Sequence, residues 1–253
     1  MIMLLVLAAV YIAASLFIGG DKTAKSLVTL VTNALILFAI EMGFDPLSVT
    51  AIACVLVSLM TLFFQNEVNV KTRSALISVF IVIAIMFGFI FFVELHANLQ
   101  GFPIGQFEIR ESNGYSGDIG CDMTLMEVAV MLMVIIGAII DVALSVTSGL
   151  YEIAENNKDL GRKDLFFSGL SIGKNILSSS INTLFFIFIA EYFTLFIQFT
   201  QYYTFAQMIN SKEFCQQVIS IAVSGIGCVL IIPVVSAVAA SWYRGQSFFS
   251  RRK

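Results

Sequence analysis

Charge is what this chain has least of. Only 12% of its 253 residues are Asp, Glu, Lys or Arg, about half the share, roughly 25%, of an ordinary soluble domain. So few charges cannot coat a water-facing globule, and a formal net charge of −3 lacks the basic surplus that would make nucleic acid a partner. Histidine occurs once, at His96, whereas a dedicated zinc site draws on several His or Cys ligands. A nucleotide-binding glycine loop, a nucleophile elbow and a zinc-protease helix are all missing from the sequence, so the expectation is a non-enzyme that needs no cofactor and does not hydrolyse ATP. No Lys or Arg precedes Lys22, which argues against a cleaved signal peptide over residues 1–19, because such a peptide opens on a basic region.

What fills the chain instead is hydrocarbon: 58% hydrophobic residues and a mean hydropathy of +0.93. Seven runs, at 2–19, 26–41, 47–64, 75–94, 124–147, 175–197 and 215–240, are long enough to cross a hydrocarbon core that takes about 20 helical residues. They are too long and too uniformly apolar for barrel strands of ~9–11 alternating residues. The expected fold is therefore all-α, a polytopic transmembrane helix bundle forming one domain over 1–253. If the runs alternate in direction, one side holds Lys22, Lys25, Lys71, Arg73, Lys158, Arg162, Lys163, Lys174, Arg244, Arg251, Arg252 and Lys253, and the other only Arg110 and Lys212. That asymmetry places the N-terminus outside and the C-terminus in the cytoplasm. Residues 95–123, rich in Gly and acids, read as an irregular outer loop. Residues 152–174, with Leu165, Phe166 and Phe167, read as an inner connection lying along the membrane interface.

Against this background one polar stripe stands out. Gly137, Asp141, Ser145, Ser148 and Glu152 are spaced four, four, three and four apart, which at about 100° per residue confines them to roughly one quadrant of a helix. Asp141 follows ten residues without a charge. A carboxylate there costs at least ~2.5–3.5 kcal/mol on insertion scales, so it is read as functional by default. The next predicted span opens on Asn175, Ser178, Ser179, Asn182 and Thr183, and Asp141 with Asn182 could exchange a hydrogen bond, bind a cation or relay a proton. For the serines, helix–helix hydrogen bonding worth roughly 0.6 kcal/mol is the simpler account; for Asp141 it is not, since such adhesion needs no charge. No Lys, Arg or His lies inside the predicted spans to neutralise Asp141, which leaves water, a cation or a partner chain.

The remaining polar residues read more simply. Glu41, Glu94, Glu127 and Glu191 fall near the outer ends of their runs, where a carboxylate reaches interfacial water. Cys121 and Cys215 both fall at the outer face, where an oxidising exterior permits a disulfide. Ser220, Ser224, Gly225, Gly227 and Pro233 in the last run suit close helix packing.

Four stretches carry a family resemblance: Thr61 to Thr72 after the third run; Gly137-Ala-Ile-Ile-Asp141-Val-Ala-Leu-Ser145 through Glu152; Gly169-Leu-Ser-Ile-Gly173-Lys-Asn with Asn182-Thr183-Leu184; and Ser224-Gly-Ile-Gly227 with Pro233. In these the chain resembles the YibE/F-like multi-pass membrane proteins of bacteria. Glu67 stands where that family commonly has glycine. The sequence lacks the extramembrane domain of longer members, so it is similar to the shorter, YibF-type half. The resemblance implies a permease-like role in the cell membrane and a YibE-type companion subunit, a homo-oligomer being the other arrangement. More distantly the architecture is similar to SecF and resistance-nodulation type membrane domains, whose intramembrane acids couple to protons.

The functional expectation is a subunit of a secondary transporter for a small solute or ion, coupled to a proton or cation through Asp141. Asn182 would be its partner, with Asn175, Ser145, Ser148, Ser178 and Ser179 as candidates along the path. The alternative is a non-transporting assembly or regulatory subunit in which Asp141 meets a partner chain.

Overall fold

The computed structural model describes residues 6, 9–10, 12–13, 17, 25, 31–32, 38–39, 42–66, 68–97 and 123–250. The expected runs 2–19 and 26–41, Glu41, Glu67, Arg110, Cys121 and most of the outer loop therefore lie largely or wholly outside the described residues. Among the described residues there are helices and turns and no strand. Among these described residues five helices are long and apolar enough to span a membrane: Pro46–Gln65, Val70–Ala97, Thr124–Asn156, Arg162–Glu191 and Phe214–Tyr243. The chain is an all-α, multi-pass membrane bundle.

Local chemistry sets where these helices begin and end. Helix α1 (Pro46–Leu59) starts at Asp45, whose Oδ2 accepts from the Ser48 amide at 2.8 Å, with Pro46 in its first turn. Pro is suited there because the amide it lacks would go unpaired anyway. Gly43 just upstream has φ +86°, a left-handed turn that a Cβ would strain. The helix continues as a wider π-helical turn, Met60–Gln65, closed by Asn66 Nδ2 donating to the Thr61 carbonyl at 2.8 Å. Asn69 and Thr72 then cap helix α2 (Val70–Ala97) reciprocally: the Asn69 amide donates to Thr72 Oγ1 and the Thr72 amide to Asn69 Oδ1, both at 3.0 Å.

Helix α3 (Met123–Asn156) is the hub. It packs against α1, α2, helix α4 (Arg162–Glu191) and helix α7 (Lys212–Ser250). Its residues Val128, Met131, Ile135, Ile139, Val142, Val146 and Leu150 are fully buried. Two short helices, α5 (Phe193–Tyr202) and α6 (Phe205–Ile209), lead from α4 to α7.

Glycine brings α4 and α7 together. A Cβ at Gly169 would meet Ser236 and Leu150, and one at Gly173 would meet Ile232. Gly169 and Gly173 are thus a small-residue pair at four-residue spacing that lets two helix backbones approach. Gly227 of α7 does the same against Ile135 and Ile139 of α3.

The α3–α4 region departs from the sequence expectation. The inner connection expected over 152–174 is a turn at 157–161, and α4 runs unbroken from Arg162 to Glu191. Leu165, Phe166 and Phe167 lie in its first turns, where Leu165 is fully buried in the bundle. The apolar run expected to reach 197 breaks as a helix at Tyr192, where Phe188 meets the rings of Tyr192 and Phe196. Hydropathy places a boundary where Lys174 and Asn175 dilute the run, but a helix packed along one face tolerates polar residues on the other.

Candidate functional site

Helix α3 is enclosed on every side but one. Its exposed positions are Val130, Val134, Gly137, Asp141, Ser145, Glu152 and the final turn, so the polar stripe read from the sequence is the helix's single open seam. A Cβ at Gly137 would meet nothing within 4 Å. Ser148 is half-buried at the same seam. Among the described residues no hydrogen bond or ion pair reaches the Asp141 carboxylate.

On α4 the buried positions Leu165, Gly169, Gly173 and Phe188 define the packed face. Asn182 lies nine residues beyond Gly173, about 180° around the helix, and Asn175, Ser178, Ser179 and Asn182 are all exposed. These side chains form an outward ladder. Gly149 of α3 lies against Ile172 of α4, and the two helices run in opposite directions. At 1.5 Å per residue, Asp141 is about 12 Å and Asn182 about 15 Å along from that contact. The two share a depth, yet among the described residues no hydrogen bond joins them. The structure gathers Gly137, Asp141, Ser145 and Ser148 on one seam and Asn175, Ser178 and Asn182 on another, and does not fuse the two.

Two polar ties brace the bundle, and sequence reading missed both. At the end where α2 begins, the Tyr243 hydroxyl of α7 donates to the Thr147 carbonyl of α3 at 2.9 Å and lies 3.3 Å from Ser74 Oγ of α2. Tyr151 stacks edge-on against Tyr243 with centroids 5.6 Å apart, and Lys71 Nζ sits 4.5 Å from the centre of the Tyr151 ring. At the opposite end Gln216 Nε2 of α7 donates to Glu127 Oε2 of α3, and Glu94 of α2 is 1% exposed. Glu94 and Glu127, expected as solvated helix ends, are instead buried, Glu127 at 8%. Position along the run was a poor guide because it ignores which face of the helix a residue occupies. Glu94 continues the Val79, Val82, Met86, Ile90 stripe of buried α2 positions, a signal readable from the spacing alone. Ser74 to Glu94 and Thr147 to Glu127 are each about 30 Å along a helix, close to the thickness of the hydrocarbon core.

Other sequence candidates stay separate. Glu191 is exposed at the end of α4. His96 Nδ1 lies 2.8 Å from the Phe92 carbonyl in its own helix, and no group of three metal-capable side chains occurs among the described residues. The Cys215 thiol donates to the Ile209 carbonyl at 3.0 Å, and the disulfide expected with Cys121 lies outside the described residues.

No curated protein and no solved structure matches the sequence. The model of one family does, over residues 7–245, nearly the whole chain and all four stretches that carried the resemblance. A helical membrane bundle built on the Asp141 stripe and the Gly169–Gly173 contact therefore belongs to the YibE/F-like protein family.

Proposed function

We propose that this chain is a subunit of a permease-like secondary transporter in which the α3 seam forms one wall of the path and Asp141 is the proton- or cation-coupling acid. One observation carries this reading: the only acid in the central stretch of the hub helix sits in that helix's one opening. An acid needed merely to hold helices together would be turned inward with a partner, as Glu127 is with Gln216. Asp141 instead faces outward beside Gly137 and Ser145, where a hydrated ion or a second chain has room.

The test is water access. In a chain whose own cysteines are replaced by Ala, Cys substitutions at Asp141 and Ser145 should react with a small methanethiosulfonate, which needs a hydrated thiolate. A Cys at Ile85, on the apolar exposed face of α2, should not. If the Asp141 and Ser145 positions are as inert as Ile85 in the membrane-embedded complex, no hydrated path passes them.

A second reading is an assembly subunit, and the outward Asn175, Ser178 and Asn182 ladder on α4 favours it. Carboxamides facing lipid find no partner, so another chain would cover them. The two readings are compatible if the companion subunit both covers α4 and completes the path.

A further inference from the structure

Around the end of the bundle where α4 begins and α7 finishes, the outward surface of α7 carries two adjoining grooves. One, of about 460 Å³, lies between α7 and the first turns of α4 and is lined by Arg162, Lys163, Phe166, Phe167, Ala237 and Ser241. The other, of about 490 Å³, lies on the far side of the same ridge, sharing Ala237 and Ser241 and adding Ile77 of α2 with Val238 and Trp242 of α7. The small side chains of Ala237 and Ser241 leave a low saddle between the two. Arg73 is one turn before Ile77 on α2 and exposed like it, so a cation heads the second groove as Arg162 and Lys163 head the first. The nearby acid Asp164 has its Oδ2 turned to the Gly161 amide at 3.1 Å, which leaves Arg162 and Lys163 as the charges at the groove mouth.

We infer that this saddle is a binding site for one anionic phospholipid, its phosphate held by Arg162 and Lys163 and its two acyl chains laid in the grooves on either side of the Ala237–Ser241 ridge. Three features converge on a lipid rather than a soluble anion. The cations sit at the mouth while the floors are aromatic and aliphatic. Basic residues heading clefts between transmembrane helices select anionic headgroups. Trp242 closes the second groove at the level of those cations, where an indole prefers the headgroup boundary. The site is independent of Asp141 and of any transport role.

Delipidated full-length protein, titrated with phosphatidylglycerol or phosphatidylcholine and read by native mass spectrometry, tests it. One phosphatidylglycerol should bind ahead of phosphatidylcholine, and the double variant Arg162→Ala/Lys163→Ala should lose that preference by about 30-fold, equivalent to about 2 kcal/mol at about 1 kcal/mol per basic residue. Lys158→Ala, in the neighbouring turn, should retain it. Ala237→Leu, which fills the saddle and leaves every charge in place, should lower phosphatidylglycerol occupancy as well. Unchanged preference in the double variant would overturn the site. Unchanged occupancy in Ala237→Leu, or displacement of the lipid by glycerol phosphate at equal concentration, would overturn its lipid character.

Discussion

At the scale of single residues, the acids of the long helices divide by what surrounds them. Glu127 is buried and accepts from Gln216, so its carboxyl helps fix α3 against α7. Asp141 is exposed, and no hydrogen bond among the described residues depends on its charge. The two should therefore respond oppositely to removal. Glu127→Ala leaves the half-buried Gln216 amide without its acceptor, and loss of a hydrogen bond of this kind costs about 0.5–1.5 kcal/mol; thermal unfolding in detergent should show the loss. Asp141→Asn keeps shape and removes only charge, so its unfolding midpoint should match the parent within the ~0.5 kcal/mol usual for uncoupled positions, while the proposed transport should fail. A strongly destabilised Asn variant would mean that Asp141 is structural. At Asp45 the physics is plainer: the Ser48 side-chain and backbone hydrogen bonds hold its carboxyl below the usual Asp range. The cap is thus in place above the ordinary Asp pKa, about 3.9, and is lost only as pH falls through the lower folded value.

At the scale of helices, close glycine contacts join the bundle alongside its polar ties. Gly173 meets Ile232 side-chain atoms on the adjacent helix, so Gly173→Val must push α4 from α7. Overpacking of this kind costs about 1–3 kcal/mol. Gly225, which has open space around it, should accept Ala without a comparable loss, and the two unfolding midpoints in detergent compare the cases directly. Helix content and the Asp141 stripe were readable in the sequence because hydropathy and a 3.6-residue period are one-dimensional signals. The Gly169–Gly173 spacing was readable too, although its partners Ser236 and Ile232 were not. What escaped depends on which face of a helix meets which neighbour. A hydrogen bond between Asp141 and Asn182 depends on how two helices face each other, and the fold turns Asn182 to the opposite side of α4 from its packed face. The Ser74, Thr147 and Tyr243 tie joins residues 73 and 96 positions apart, and no spacing rule reaches that far. The length of α4 was missed because Lys174 and Asn175 resemble a membrane boundary when the packed face beneath them is unknown.

At the scale of the whole molecule, the ties give the bundle two chemically different ends. Ser74, Thr147 and Tyr243 meet at one end, which brings Lys71 and Arg73 at the start of α2 to the same level as the α3–α4 turn with Lys158, Arg162 and Lys163. Glu94, Glu127 and Gln216 mark the other, about 30 Å away along α2 and α3. Most basic residues of the described helices thus lie toward the first end, Lys212 at the start of α7 lying at the other, as the loop asymmetry of the sequence leads one to expect if the first end stays in the cytoplasm. The reason is energetic: translocating a Lys-rich or Arg-rich short loop is disfavoured, so the end that holds them is retained inside. The orientation expected from this has the Tyr243 end inside and the Glu94 end outside. In a chain whose native cysteines are replaced by Ala, single Cys residues at Lys71, Arg162 and Arg251 should resist a membrane-impermeant maleimide in intact cells and react once the cells are opened. A Cys at Gly114, in the segment between α2 and α3, should react before opening. Labelling of the Arg162 position from outside would invert the molecule, and with it the side from which, in the proposed function, an ion would enter the α3 seam to meet Asp141.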